Sequence, residues 1–219
     1  MRRTLLLLRR DLTQLLPGGA QGTATLPLLL FLTIAVLYPF ALGPDAALLS
    51  RTGGAIIWVA ALVASILPLD RLARRDQEIG WFDQLLLRGI SEELATAVRM
   101  AAHWLSFAPL LLLATVGAAA LLGLSYESLR TVLLGLLAGT PGLAALSVVV
   151  AAVMAGVRGG TALGGMLFLP LAVPLLVFGA GALVKPDENG LALAAAVSLI
   201  FVAAAPFASA AALRAAREF

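Results

Sequence analysis

The residues that could do chemistry are few, and the single histidine is the most isolated of them. His103 stands in the apolar stretch Met100-Ala101-Ala102-His103-Trp104. An imidazole at that place could ligate a metal or a haem iron, or move protons. It could equally form a hydrogen bond to a neighbouring helix, with Trp104 as an anchor at the membrane interface. Because a second metal ligand is lacking nearby, the pattern favours the structural role.

The segment 70–99 is the second place where chemistry or binding is indicated. It holds 11 of the 27 charged residues of the chain (15 Lys and Arg, 12 Asp and Glu), interleaved with leucines and Phe82. A simple linker needs neither this length nor this amphipathic pattern. The pattern predicts a short helix around 82–87 that lies across the membrane surface, with Leu85 and its neighbours entering an apolar groove of a partner protein. The alternative is a solvated loop beside lipid headgroups.

Several kinds of site are missing from the sequence. It contains no GxxxxGK[ST] motif, so it cannot hydrolyse ATP by that route. It contains no cysteine, which excludes disulfides and thiolate metal sites. The predicted membrane spans carry no Asp, Glu, Lys or Arg in their interiors, and no acidic pair or Ser/Lys dyad, which argues against an intramembrane enzyme. Ion-coupled transporters usually bury ionisable groups, so transport by this chain would take its energy from a partner.

Composition and hydropathy predict the fold. The chain is 61% hydrophobic and 12% charged, with a mean hydropathy of +1.02. Six apolar stretches are long enough to cross a hydrocarbon core of about 30 Å at about 1.5 Å per helical residue. Lipid offers no hydrogen-bond partner to the backbone, so these stretches must be helices. The prediction is an all-α, single transmembrane domain over 1–219 with six transmembrane helices, at about 23–42, 53–69, 97–123, 130–155, 160–183 and 191–212.

Basic residues are distributed unevenly between the two predicted sides of the membrane. Arg51, Arg130 and Lys185 fall on one side, and the other twelve of the 15 basic residues fall on the opposite side. Cytoplasmic loops carry such an excess. Both termini and the loop 70–96 are therefore predicted to be cytoplasmic. The high isoelectric point reflects this topology rather than nucleic-acid binding.

The first 17 residues predict an amphipathic helix that lies on the inner leaflet and braces the bundle. It stops at Pro17-Gly18-Gly19. Its apolar face is formed by leucines at helical spacing, with Arg3, Arg10 and Gln14 opposite. These leucines are Leu5, Leu8, Leu12, Leu15 and Leu16.

Small residues and prolines mark places of close packing or bending. Glycine pairs four residues apart, at 135/139 and 160/164, allow close helix approach. Packing within one chain is the simpler interpretation, and packing against another subunit is the alternative. Pro170 and Pro174 each remove a backbone donor from the fifth span and predict a bent helix, which is either structural or part of a moving gate.

Short motifs follow one another in order along nearly the whole chain. They are Tyr38-Pro39-Phe40, Gly43-Pro44, Ile56-Ile57-Trp58-Val59-Ala60-Ala61-Leu62, Asp76, Gly80, Gln84-Leu85, Ala102-His103-Trp104, Gly139-Thr140-Pro141, Gly159-Gly160, Leu169-Pro170-Leu171, Pro174-Leu175-Leu176, Pro206-Phe207-Ala208 and Ala210-Ala211-Ala212-Leu213-Arg214. In this order and spacing they resemble the CcmB family, the membrane subunit of the bacterial cytochrome c maturation ABC transporter.

The resemblance implies a function and a set of partners. The family's protein is a non-catalytic permease subunit of the bacterial inner membrane that pairs, in two copies, with a dimer of cytoplasmic ATPase subunits. It also associates with a second membrane protein that holds haem through a tryptophan-rich external domain and with a small single-span subunit. ATP hydrolysis releases haem to a periplasmic haem chaperone. The resemblance implies no permanently bound cofactor, and its partners are proteins and membrane lipid, not nucleic acid.

The resemblance also implies site residues. The predicted ATPase-coupling residues are Asp76, Gly80, Phe82, Asp83, Gln84 and Leu85. The family carries a second acidic position before the glycine, where this chain has Ile79, and often a glutamate where it has Asp83. The predicted haem or gating contacts are His103, Trp104, Pro170 and Pro174. An alternative function is a membrane scaffold that assembles the haem-handling complex without conducting a substrate; control of a partner's ATPase through the 70–99 loop would distinguish the two.

Overall fold

The described part of the chain is built from α-helices packed side by side. The structure, a computed structural model, describes residues 2–16, 25–157, 161–184 and 188–216. Six of its helices are long and apolar enough to cross a membrane, which confirms the predicted all-α bundle of six spans. The helices are α1 (Arg2–Leu15), α2 (Thr25–Leu42), α3 (Ala46–Ala64), α4 (Leu69–Leu72), α5 (Arg74–Glu78), α6 (Trp81–Leu87), α7 (Glu92–Leu121), α8 (Tyr126–Ala155), α9 (Thr161–Val184) and α10 (Glu188–Ala215).

Three of the long helices begin earlier than hydropathy predicts, because a capping side chain precedes each of them. The Asp45 carboxylate accepts a hydrogen bond from the backbone N–H of Leu48 at 3.0 Å, so α3 begins at Ala46 rather than at 53. Serine hydroxyls cap α7 and α8 in the same way, so α7 begins at Glu92 and α8 at Tyr126. Such caps satisfy backbone donors that have no partner within the helix.

Arg99 lies near the start of the predicted third span, outside the interior for which no Asp, Glu, Lys or Arg was predicted. Arg99 lies two turns into α7, and its side chain is buried. With 30 residues, α7 is about 45 Å long, which exceeds a hydrocarbon core of about 30 Å. The helix from about 102 onward suffices to cross the core, which leaves Arg99 near its edge.

One end of the bundle, here called the arginine-rich end, gathers most of the positive charge of the described residues. The start of α7 meets the end of α10 there, where Arg214 Nη1 lies 2.8 Å from Glu93 Oε1. Helices α1, α4, α5 and α6 pack at the same end. Of the described arginines, only Arg51 and Arg130 lie at the opposite end. Arg158, Lys185, Arg217 and the predicted break at Pro17-Gly18-Gly19 lie outside the described residues.

The core is centred on α8, which has the largest buried share of the six candidate spans. Trp58 of α3 is fully buried and lies in a socket formed by Gly135 and Gly139 of α8 and Gly179 of α9. A Cβ atom would come within 2.6 Å of the indole at Gly139 and within 2.1 Å at Gly179. The 135/139 pair therefore packs within the chain. Gly160 of the second pair lies outside the described residues.

Side-chain hydrogen bonds connect α8 to three other spans. Trp104 Nε1 of α7 donates to Thr140 Oγ1 at 3.0 Å. Gly142 N donates to Ser198 Oγ of α10 at 2.8 Å. The Ser147 hydroxyl donates to the carbonyl oxygen of residue 65, just after α3, at 3.1 Å. Polar contacts of this kind hold helices together where lipid offers no alternative partner.

The glycine socket gives a prediction about stability. Gly179→Ala should lower the free energy of unfolding by about 1–3 kcal/mol, because the new methyl group overlaps the Trp58 ring. Gly181→Ala is the matched control, since it lies on the same helix and a Cβ there meets nothing within 4 Å. Both variants would be unfolded from mixed micelles by titration with a denaturing detergent. Equal stability of the two would contradict the socket.

Candidate functional site

Four charged side chains from three helices form a closed ring of ion pairs at the arginine-rich end, here called the ion ring. Arg99 of α7 binds both carboxylate oxygens of Asp11 of α1, at 2.8 and 3.2 Å, and also binds Asp76 of α5. Arg10 of α1 binds both oxygens of Asp76, at 3.0 and 3.1 Å, and one oxygen of Asp11 at 2.9 Å. Two positive and two negative charges balance.

Three of the four members of the ion ring are buried, and Arg10 is partly exposed. Asp11, Asp76 and Arg99 are 4%, 2% and 3% exposed, and Arg99 Nη1 also donates to the Leu72 carbonyl at 2.6 Å. Burial acts to raise the pKa of Asp76, but hydrogen bonds and positive charge from Arg10 and Arg99 outweigh it and lower that pKa below its usual value. The carboxylate is therefore ionised at neutral pH. Loss of one member would leave an uncompensated buried charge, which typically costs about 3–5 kcal/mol.

Helix α6 is attached to α1 at both of its ends. The Arg10 guanidinium that closes the ion ring also lies over the Trp81 ring, 3.8 Å from its centroid, in a cation–π contact. At the other end of α6, Arg3 Nη1 donates to the Arg88 carbonyl at 3.3 Å. Gly80 precedes α6 with φ +66°, a left-handed conformation in which a side chain would be strained, so it allows the sharp turn from α5.

The two faces of α6 have different surroundings. Phe82 and Leu85 are each 3% exposed and pack in one apolar cluster with residues of α7, α8 and α10, among them Leu213. Asp83 and Gln84 are exposed, and Leu87 is 89% exposed. A helix thus occupies the position predicted for 82–87. The prediction that Leu85 enters a groove of a partner does not fit this geometry, because Leu85 points into its own bundle.

A groove of about 540 Å³ runs between α1 and α6, here called the α1–α6 groove. Its lining is mainly apolar, with three arginines along it. The lining residues are Arg3, Leu6, Leu7, Arg10, Trp81, Leu85, Arg88 and Ile90. An apolar floor with guanidinium groups along it is complementary to an amphipathic segment that carries acidic side chains.

Of the two neighbours predicted as haem or gating contacts, His103 lies inside the bundle and Trp104 is half-buried. His103 is 1% exposed, and neither ring nitrogen has a hydrogen-bond partner among the described residues. Its ring packs on Phe107, with the centroids 4.8 Å apart. The indole N–H of Trp104 donates the hydrogen bond to Thr140 described above. A ligand would reach the imidazole only if the helices separated.

The other predicted gating residues lie in α9. Pro170 and Pro174 are both inside a helix that continues from Thr161 to Val184, and Pro170 is exposed on the bundle surface. Neither proline interrupts the helix. No group of three His, Asp or Glu side chains suited to a metal ion occurs among the described residues.

Sequence reasoning included Asp76 but missed the three residues that bind it or close the ring around it. Asp11 was the one residue that could have indicated the ion ring. It lies on the same face of α1 as Leu8, Leu12 and Leu15, where an acidic residue is unusual unless it is paired. Its partner Arg99 is 88 residues away, so sequence spacing could not reveal the pair.

Residues 2–216 match the family model described as CcmB protein. The chain belongs to the CcmB family. It is 42% identical over 214 residues to "Heme exporter protein B" of Bradyrhizobium diazoefficiens, a match that covers 95% of this chain and 96% of the relative. The Paracoccus denitrificans protein of the same name is 40% identical over 213 residues, with 95% and 97% covered. That of Haemophilus influenzae is 38% identical over 194 residues, with 86% and 87% covered.

The geometry of α6 predicts opposite behaviour for two neighbouring leucines. Leu85→Asp should lower the free energy of unfolding by about 3 kcal/mol, because it places a carboxylate in an apolar cluster. Leu87→Asp should change it by less than about 0.5 kcal/mol, because that side chain is exposed. Denaturant titration of the purified chain measures both. Similar losses in the two variants would show that the inward and outward faces of α6 are assigned wrongly.

Proposed function

We propose that this chain is the non-catalytic membrane subunit of an ABC transporter that moves or releases haem. In this proposal a separate ATPase subunit binds the arginine-rich end, and ATP hydrolysis there drives delivery of haem to a chaperone on the opposite side of a bacterial inner membrane. Membership of the CcmB family and the name shared by its relatives support the haem assignment. The lack of a Walker A sequence supports a separate ATPase.

The observation that carries the proposal is the surface formed by α1 and α6 at the arginine-rich end. The α1–α6 groove offers an apolar floor with guanidinium groups, and Leu86 and Leu87 extend the apolar surface outward. The excess of arginine at this end supports its cytoplasmic location, where ATP is available. A surface with apolar centre and charged edge is typical of protein interfaces.

The inward face of α6 explains how such contact could act on the spans. Phe82 and Leu85 rest against α7, α8 and α10. A partner that presses on the outward face of α6 would therefore load three membrane helices rather than a free loop. The resemblance to the family implies further partners for the same complex: a second copy of this chain, a haem-holding membrane protein with a tryptophan-rich domain, and a small single-span subunit.

Co-purification with the ATPase subunit tests the proposed interface. Leu87→Asp should reduce recovery of the ATPase by about tenfold or more, because a charge replaces an exposed apolar contact at the interface. Tyr126→Asp is the matched control: Tyr126 is 80% exposed at the opposite end of the bundle, and its substitution should leave recovery unchanged.

The outcomes separate the two candidate functions. Loss of ATPase binding together with loss of ATP-dependent haem delivery supports a permease subunit. Haem delivery that survives without the ATPase contact would favour the scaffold. Unchanged recovery of the ATPase with Leu87→Asp would remove α6 from the interface.

His103 gives an independent prediction. His103→Leu should preserve folding and haem delivery, because leucine fills much of the volume while removing two ring nitrogens that have no hydrogen-bond partner among the described residues. The measurement is the yield of the purified complex and the haem transferred per complex. Loss of haem transfer with a normal yield of complex would instead identify the imidazole as a haem contact.

A further inference from the structure

We infer that the ion ring joins α1, α5 and the start of α7 into one mechanical unit, in which Asp11 and Arg99 are positioning residues that carry a displacement of α6 into the third span. The inference rests on the proposed function, since it concerns how work done on α6 reaches the membrane helices.

The first step concerns the covalent connections of α6. Gly80 precedes it with φ +66°, and Gly89 follows it with φ +73°. A Cβ atom at Gly89 would meet nothing within 4 Å, so the side of the turn on which a side chain would lie is open. Glycine has the widest backbone freedom of all residues. A push on α6 is therefore passed on through its side-chain contacts more than through the backbone on either side.

The second step concerns the kind of contact. The buried face of α6 makes apolar contacts, which pass on pressure against the bundle but are non-directional and do not fix the orientation of the helix. Two polar contacts join α6 and the residue after it to α1: Arg10 lies on Trp81, and Arg3 donates to the Arg88 carbonyl. Arg10 is also a member of the ion ring. The Arg10 guanidinium group therefore gives α6 a direct side-chain contact to the ion ring.

The third step concerns what the ion ring holds. Paired carboxylate–guanidinium hydrogen bonds have a fixed geometry, so they fix the positions of the helices that carry them. Arg10 with Asp76 ties α1 to α5, and Arg99 with Asp11 ties α1 to α7. Helix α7 then continues without interruption for 30 residues to Leu121. The ion ring is the point at which the surface helices are attached to a spanning helix by directional bonds.

Because each contact between helices joins one arginine to one aspartate, a double substitution can remove that contact without leaving an unbalanced charge. Asp11→Asn with Arg99→Met removes the tie from α1 to α7 and leaves the Arg10–Asp76 pair. Arg10→Gln with Asp76→Asn removes the tie from α1 to α5 and leaves the Arg99–Asp11 pair. Glu93→Gln is the control, because it weakens a different ion pair of the same helix, the one with Arg214, at the same end.

The complex of this chain with its ATPase subunit, reconstituted in proteoliposomes with haemin, provides the first readout. The variant with Asp11→Asn and Arg99→Met changes no residue of the α1–α6 groove, so it should retain ATPase binding and ATP turnover but deliver about tenfold less haem per ATP hydrolysed, the size expected when coupling between two sites is lost. The variant with Arg10→Gln and Asp76→Asn also removes a guanidinium group from the groove, so it should lose ATPase binding together with delivery. Glu93→Gln should deliver haem as the natural chain does. Unchanged delivery in both double variants would overturn the inference, and so would failure of the variant with Asp11→Asn and Arg99→Met to bind the ATPase, which would make the ion ring purely structural.

A second readout uses this chain alone and does not depend on the ATPase. The chain contains no cysteine, so Leu5→Cys in α1 and Leu113→Cys in α7, both at exposed positions, can carry two spin labels. The distance distribution between the labels should be narrow in the natural background and with Glu93→Gln, and broad with Asp11→Asn and Arg99→Met. A narrow distribution in that double variant would overturn the inference even if the ATPase binds. Failure of the natural chain to bind any ATPase would overturn the proposed function instead, while the label distances still decide whether the ion ring unites the helices.

Discussion

The ion ring is the interaction on which the arginine-rich end depends. Removing three of its four charged groups from water is costly, and the cost is offset only when every buried charge is paired and hydrogen-bonded. Arg99 meets this condition by binding Asp11, Asp76 and the Leu72 carbonyl together. Because the four members come from α1, α5 and α7, the charge balance holds only when all three helices are in place. Alternative arrangements of these helices would leave a charge unpaired, so the ion ring selects one arrangement.

The orientation of α1 follows from the same constraint. Leucine spacing alone would place Leu5 on the buried face, but Leu5 is 67% exposed. The buried face instead runs through Leu8, Leu12 and Leu15, with Asp11 among them. Pairing of Asp11 with Arg99 rotates the helix to this setting. The apolar pattern determines that the helix packs, and the charge pairing determines which of its sides faces inward.

The limits of sequence-based prediction can be traced to particular residues. Six spans were predictable because lipid forces long apolar stretches into helices. The helix at Trp81–Leu87 was predictable as a helix, but its inward face was not, because Phe82, Leu85, Leu86 and Leu87 are all apolar and only the packing separates them. The early starts of α3, α7 and α8 could have been predicted from their capping residues, which a hydropathy pattern does not take into account. The ion ring could not be predicted from the sequence, apart from the unusual position of Asp11, because its members lie far apart in the chain.

The glycine socket of Trp58 has a consequence for how this region can vary between related sequences. The indole touches three glycines from two helices, so a larger residue at any of them conflicts with the same ring. A smaller residue at 58 would remove the conflict at all three glycines at once, but it would first leave a cavity in the bundle. Changes at the four positions are therefore epistatic, and the order in which they occur decides whether each is tolerated. A fully buried tryptophan of this kind therefore makes the substitutions that three helices accept during evolution depend on one another.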